Sequence, residues 1–334
     1  MKFGKIIALL MAVVLGVMAF AACDEKEVDT EKPAVYYTVR FETNCDEKIE
    51  PKSVKEGTSL SEPVTLRRDG YVFEGWYNGS KHWDFSFSVK EDMTLTAHWV
   101  EADSVFEHSP SSDGETTVVT GIKESKKEGV IYLPTYLGGF RVTTIGEGAF
   151  SKISSEQVNK IVVPEGITVV QNSAFAESSG IEIVVEGEIS FVGEKAFLGC
   201  TGLSDIKLGG GIDTISAEAF EGSGLQVLKL PQSVKVIDEN AFSECSALKI
   251  VILYDTTEVI RDMAFDRSAV ESVLVYGEWD NVNILFENRV LGQNDEIAAA
   301  DKYIYSEAKP QTAVPEGCKG YWYFNDKGEP KAWK

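Results

Sequence analysis

Two hydrophobic periods divide the chain. Between residues 35 and 100 apolar and polar positions alternate: Val35, Tyr37, Val39 and Phe41 are interleaved with Tyr36, Thr38 and Arg40, and Met93, Leu95, Ala97 and Trp99 with Thr94, Thr96 and His98. Such alternation gives a strand one apolar face. Gly57, Pro63, Gly70 and Gly75 are turn signals between these runs, and Tyr71, Phe73, Trp76, Tyr77, Trp83 and Phe85 can fill a small aromatic core. Residues 35–100 therefore predict one small β-rich module.

Beyond residue 112 the period lengthens. Ala-Phe pairs stand at 149–150, 174–175, 196–197, 219–220, 241–242 and 264–265, at intervals of 25, 22, 23, 22 and 23 residues. Four residues before each alanine is Ile145, Val170, Val192, Ile215, Ile237 or Ile260. After each pair comes an apolar triad, as in Leu203-x-x-Ile206-x-Leu208 and Leu225-x-x-Leu228-x-Leu230. A period near 23 predicts a solenoid. One coil cannot bury its own apolar ends, whereas stacked coils share a core in which each phenylalanine sits over the next. Six coils at strand spacing make a rod of roughly 30 Å.

Alternation along the triads also marks a surface. If the first, fourth and sixth triad residues point inward, the third and fifth point outward. These outward positions are Lys160 and Val162, Ile183 and Val185, Asp205 and Lys207, Val227 and Lys229, Ile250 and Ile252, and Ser272 and Leu274. The row is rich in valine and isoleucine and edged by lysines, as expected of either a contact face or plain strand propensity. The candidate ligand-binding residues are Lys160, Val162, Ile183, Val185, Lys207, Val227, Lys229, Ile250, Ile252 and Leu274.

The N-terminus predicts the compartment. Lys2 and Lys5 precede an uncharged apolar run from Ile6 to Phe20, followed by Ala21-Ala22-Cys23 and then Asp24-Glu25-Lys26-Glu27. The run falls short of the roughly 20 residues needed to span a bilayer, so it predicts a signal peptide. Phe20-Ala21-Ala22-Cys23 resembles the lipobox of bacterial lipoproteins, and that resemblance implies a lipid on Cys23 and a place on the outer side of the cell membrane. The predicted division is a signal peptide over 1–22, lipidated cysteine and tether over 23–34, the β-rich module over 35–100 and a polar linker over 101–112. A solenoid with N-terminal cap follows over 113–276, and a C-terminal cap and tail over 277–334.

Two further resemblances rest on motifs. Val39-x-Phe41 with Asn44, Gly70-Tyr71-Val72-Phe73-Glu74-Gly75-Trp76-Tyr77, Trp83-Asp84-Phe85 and Asp92-Met93-Thr94-Leu95-Thr96-Ala97-His98-Trp99 resemble the Listeria-Bacteroides repeat, also called the internalin B-repeat. This implies a β-grasp-like fold on a bacterial surface protein. Cys45 departs from the family, standing where a glycine usually follows the asparagine. Ile145-Gly146-Glu147-Gly148-Ala149-Phe150, Cys200-x-x-Leu203 and Leu228-Lys229-Leu230-Pro231 resemble the BspA-type leucine-rich repeat. The fold expected is thus mainly β: a small β-grasp-like module, then a leucine-rich-repeat solenoid with terminal caps, the entry segment 117–145 and the segment around Trp279 and 303–307 serving as ends.

Composition narrows the chemistry. The 334 residues are 43% hydrophobic with a net charge of −21, which fits a folded acidic protein and disfavours nucleic acid as partner. Three histidines, His82, His98 and His108, leave little material for a metal centre or a Ser-His-Asp arrangement. Cys200 and Cys245 fall at equivalent positions two coils apart, roughly 9 to 10 Å, beyond disulfide reach. Gly209-Gly210-Gly211 lacks the Lys-Ser or Lys-Thr of a phosphate loop and is expected to be a coil turn. No cofactor or metal is expected, nor catalysis. The expected function is adhesion or protein–protein interaction, with host extracellular-matrix or other surface proteins as candidate partners. The alternatives are a structural envelope spacer, or carbohydrate and cell-wall recognition through Trp322, Tyr323 and Trp333. Residues 320–328 are expected to form a capping hairpin.

Overall fold

The computed structural model describes residues 34–63, 66–123, 129–153, 155–156, 158–277, 300–306, 314–315, 318–325, 327 and 330–333. Cys23 and Trp279 lie outside the described residues.

The module is a mixed five-stranded sheet. Its strands are β1 (Tyr36–Glu42), β2 (Lys52–Lys55), β3 (Tyr71–Asn78), β4 (Lys81–His82) and β5 (Met93–Glu101), in the order β2-β1-β5-β3-β4. The first and last strands run parallel at its centre, with Val39 opposite Met93, as a β-grasp-like sheet requires. Trp76 and Leu95 anchor its core, where Phe41 and Phe73 meet Trp76 edge-on at 5.0 and 5.7 Å. Asn44 takes the left-handed backbone at φ 52° and donates its amide to the Ala97 carbonyl, so Cys45 needs no unusual geometry. A bulge between Phe73 and Gly75 shifts the β3 register, and the His82 ring packs so close to Gly75 that a Cβ there would meet it.

Residues 101–112 depart from the expected linker. Ala102–Val105 form α1 and Phe106–Pro110 form β6, which pairs antiparallel with β7 (Thr116–Ile122). Ala102, Val105 and Phe106 are buried. One helical turn brings Ala102 and Val105 to one side, and with Phe106 at the start of β6 they join the solenoid core. Phe106 meets Phe150 edge-on at 6.5 Å and so begins the aromatic column.

The solenoid follows the repeat. Phe150, Phe175, Phe197, Phe220, Phe242 and Phe265 stack face to face with centroids 5.2 to 5.4 Å apart, and each is fully buried. Short strands such as Thr214–Ile215, Val236–Ile237 and Val259–Ile260 pair in parallel on one side of this column. Triad strands pair on the other, Val227–Lys229 with Ile250–Tyr254 and that with Ser272–Tyr276. The sheet continues through Asp301–Tyr305 and Gly320–Phe324 and ends at antiparallel Pro330–Ala332. Among the described residues the C-terminal segment thus adds two further rungs and a closing strand.

Each coil turns through two left-handed residues that flank the Ala-Phe pair. Lys195 and Gly199 flank one pair, Glu218 and Gly222 the next, Asn240 and Glu244 the one after. Non-glycine residues there cost roughly 1–2 kcal/mol each, and the ladder offsets this with coil-to-coil bonds such as Phe197 N–H to the Ala219 carbonyl at 2.8 Å.

One further position repeats. Three residues after the phenylalanine, Ser178, Cys200 and Cys245 donate to the carbonyls of Phe150, Phe175 and Phe220, at 2.6, 3.1 and 3.1 Å. Both cysteines are free and buried, and burial pushes the Cys200 thiol up to about 12 and the Cys245 thiol up as well.

Candidate interaction surface

The outer face of the triad strands is built from residues whose neighbours differ from one end of the rod to the other. At the N-terminal end the β-grasp-like module lies against it. Phe73 meets Tyr132 edge-on at 5.7 Å, Arg67 pairs with Glu186, and the Thr135 hydroxyl donates to Asp69 at 3.3 Å. Val162 sits opposite Tyr132 in the sheet and lines this seam. The Tyr132 hydroxyl is pushed up to about 12, chiefly by burial and then by Glu62 and Glu186.

At the C-terminal end the protein covers the same face with its own tail. Trp322 is fully buried and packs with Ile252 and Leu274, its ring 5.0 Å from those of Tyr276, Tyr305 and Phe324, all edge-on or steeply tilted. The Trp322 indole donates to the Val275 carbonyl at 3.3 Å. The sheet curls so far that the Lys229 ammonium lies 5.3 Å from the Phe324 ring, although their strands are separated by three others.

These lids correct the expected outward row. Val162, Ile252 and Leu274 are buried, not open to solvent, because the module covers the first and the aromatic tail the others. Ile183 is buried for a different reason. Ile161 pairs with Ile183 and Val162 with Val184, so Ile183 and Val185 face the core, and Glu182 and Val184 hold the outward positions. A slip of one residue exchanges the faces. The Lys160 ammonium, 3.2 Å from Glu182, lies on the same outer side. Lys160, Val185 and Ile250 are half-buried, whereas Lys207, Val227 and Lys229 are exposed together with Asp205. The open part of the face is therefore its centre, between two lids. Sequence reasoning missed Glu182, Val184 and Phe324. The first two were signalled by the 22-residue spacing of Lys160 and Glu182, opposite charges one coil apart.

The aromatic tail is equally changed. Trp322 is inaccessible, and Tyr323 stacks on Trp333 at 4.1 Å, so the three aromatics do not form one open sugar platform. Among the described residues no group of three or more His, Cys, Asp or Glu gathers as a metal site, and no helix is long and apolar enough to cross a membrane.

Family comparison agrees with this geometry. Six copies of the BspA type leucine rich repeat region match across 139–249 and 171–284, and the Listeria-Bacteroides repeat domain matches 37–98. The chain carries BspA-type leucine-rich repeats behind a Listeria-Bacteroides repeat. Over 86 residues it is 37% identical to an Evansella cellulosilytica protein named as a membrane protein, covering 22% of this chain and 13% of that one. It is 34% identical over 86 residues to Internalin H of Listeria monocytogenes, covering 24% of this chain and 14% of the internalin. The chain thus spans only a small part of these longer relatives. Among solved structures, a leucine-rich repeat protein from Bacteroides ovatus aligns with a TM-score of 0.42 at 20% identity, covering 65% of this chain and 59% of that one. The leucine rich repeat protein of T. pallidum aligns at 0.33 and 20%, covering 60% and 84%. BspA-type coils account for the aromatic column and the triad sheet together.

Proposed function

We propose that this is a non-catalytic bacterial surface protein, anchored by a lipid on Cys23, that holds a protein partner on the open centre of its solenoid face. The observation that carries this reading is the exposed strip of Lys207, Val227 and Lys229, the last edging the tail at Phe324, between the two parts of the face that the chain itself covers. Valine exposed on a sheet between lysines suits a partner that buries apolar surface and answers positive charge. Surface location is supported by the signal-like N-terminus with its lipobox and by the named relatives. Adhesion to host extracellular-matrix proteins is the specific role.

The test is binding of unlipidated residues 24–334 to immobilised matrix proteins, beside a Val227→Asp, Lys207→Glu variant. Both side chains are exposed, so the variant keeps its thermal stability. Saturable binding lost in the variant supports the reading, and binding retained at full strength refutes it. Anchoring is tested separately: Cys23→Ser protein leaves the membrane fraction if the cysteine bears the lipid.

A further inference from the structure

The last strand of the module, β5, passes from Glu101 directly into α1 and so towards the solenoid. Its first strand, β1, runs parallel to β5 with Val39 opposite Met93, so the chain enters the module at the end opposite the one by which it leaves. At that entry end Tyr36 is 59% and Phe87 48% exposed, and Val35 is open beside Tyr36. The Glu56 N–H donates to the Val35 carbonyl at 2.8 Å and the Gly57 N–H to the Val89 carbonyl at 3.1 Å, which ties the start of β1 to the turn that bears Phe87. Three exposed lysines stand around these side chains. Lys55 lies opposite Tyr36 in the sheet, the Lys81 ammonium is 5.9 Å from the Phe87 ring, and Lys90 follows Val89. None of the three is in an ion pair among the described residues. Of the acids here, Glu56 accepts from the Tyr37 hydroxyl at 3.2 Å and Asp92 from the Thr38 N–H at 2.7 Å, and Glu91 is exposed. Lysines and acids therefore balance at this end, in a chain whose net charge is −21.

We propose that this end of the module rests on the phospholipid surface, with Val35, Tyr36 and Phe87 at headgroup level and Lys55, Lys81 and Lys90 against anionic headgroups. Aromatic side chains with an apolar body are favoured at the boundary between membrane and water, and each lysine near an anionic surface adds attraction. The reading rests on the lipid at Cys23 for what brings this end to the membrane. Residues 24–33, at about 3.5 Å each when extended, keep the start of β1 within about 40 Å of that lipid. Charge favours the same end, because the acid excess of the remaining chain is repelled by anionic headgroups whereas a balanced surface is not. The solenoid joins at the opposite end, so contact here holds it away from the bilayer. The residues are distinct from the strip at Lys207, Val227 and Lys229.

The test is lysine acetylation, read residue by residue by mass spectrometry at low extent. Residues 24–334 with an N-terminal hexahistidine tag are held on vesicles of phosphatidylcholine, phosphatidylglycerol and a nickel-chelating lipid, and compared with the same protein free in solution. The expected result is that Lys55, Lys81 and Lys90 react about threefold more slowly on the vesicles while Lys207 keeps its rate. No slowing, or equal slowing of Lys207, overturns the proposal. A Tyr36→Ser, Phe87→Ser variant, altered only at exposed side chains and checked for unchanged melting, should lose the slowing; slowing retained in full overturns the apolar contact. Omitting phosphatidylglycerol should reduce the slowing, and no reduction overturns the part given to the lysines. The tag stands in for the lipid, so Cys23→Ser protein that stays in the membrane fraction would refute the lipid on Cys23 and leave the acetylation result as it is.

Discussion

Phe220→Ala measures how the solenoid holds together. Phe220 is fully buried and stacked on both faces, 5.4 Å from Phe197 and 5.3 Å from Phe242, with rings within 8° of parallel. Truncating a buried phenylalanine to alanine costs about 3–5 kcal/mol through lost transfer energy and the cavity left behind. Because two ring pairs are lost, each worth about 0.5–1.5 kcal/mol beyond area alone, the upper part of that range is expected. Neighbouring strands cannot collapse into the gap, since coil-to-coil bonds such as Phe220 N–H to the Ala241 carbonyl at 2.9 Å fix their spacing. Phe220→Leu keeps much of the volume but not the stacking, and should cost about 1–2 kcal/mol. Urea unfolding followed by far-ultraviolet circular dichroism gives both values from the midpoint at constant slope. In a domain of ordinary stability, about 5–15 kcal/mol, the alanine variant loses a large share of the total. A cost below about 2 kcal/mol for Phe220→Ala, or equal costs for the two variants, refutes the continuous column.

The register of the third triad can be read from a pair of variants: Ile183→Asp should destabilise by at least about 3 kcal/mol because it buries a carboxylate, and Val184→Asp by no more than about 1 kcal/mol. The opposite ranking restores the slipped register. Cys200 and Cys245 should resist a thiol reagent at neutral pH until the solenoid unfolds, since both are buried with raised thiol pKa values; labelling before the circular-dichroism transition contradicts this. Glu221 is held above the usual carboxylate range by burial first and then by Glu218 and Glu244. Its folded state therefore binds the proton more tightly than the unfolded one, and stability falls as pH rises through that window. Glu221→Gln should raise the melting temperature at about pH 7, with the gain shrinking toward about pH 4; a gain that grows on acidification counts against the assignment.

The parts legible in the sequence were those fixed by period. Ala-Phe spacing placed the aromatic column because every coil must deliver one ring to the same height, and alternation placed Val39 and Leu95 inside the module. What period alone does not carry is the company a face keeps. Val162, Ile252 and Leu274 alternate correctly and do point outward, yet they are covered by segments remote in sequence, around Phe73 and Trp322. Alternation specifies direction from the strand, not what lies beyond it. The Ile183 coil failed differently, because Ile181, Ile183, Val184 and Val185 offer apolar residues to both faces and only the pairing with Ile161 selects one. Residues 101–112 look polar by count, but Ala102 and Val105 on one side of a single turn and Phe106 at the start of the next strand suffice to tie the segment into the core. Ser178, Cys200 and Cys245 show a conserved task under changing letters, a hydrogen bond to the preceding coil's phenylalanine carbonyl.

Because the two lids grip the ends of the outer face while the coils between them repeat, the architecture behaves as an adjustable gauge. Inserting one whole coil of 22 or 23 residues would leave the contacts at Tyr132 and Trp322 untouched and lengthen the open strip by one strand spacing, about 4.8 Å. Deleting one would bring the module and the aromatic tail that much closer. The length of surface offered to a partner can therefore change in fixed steps, by gain or loss of a single sequence unit, without redesign of either end.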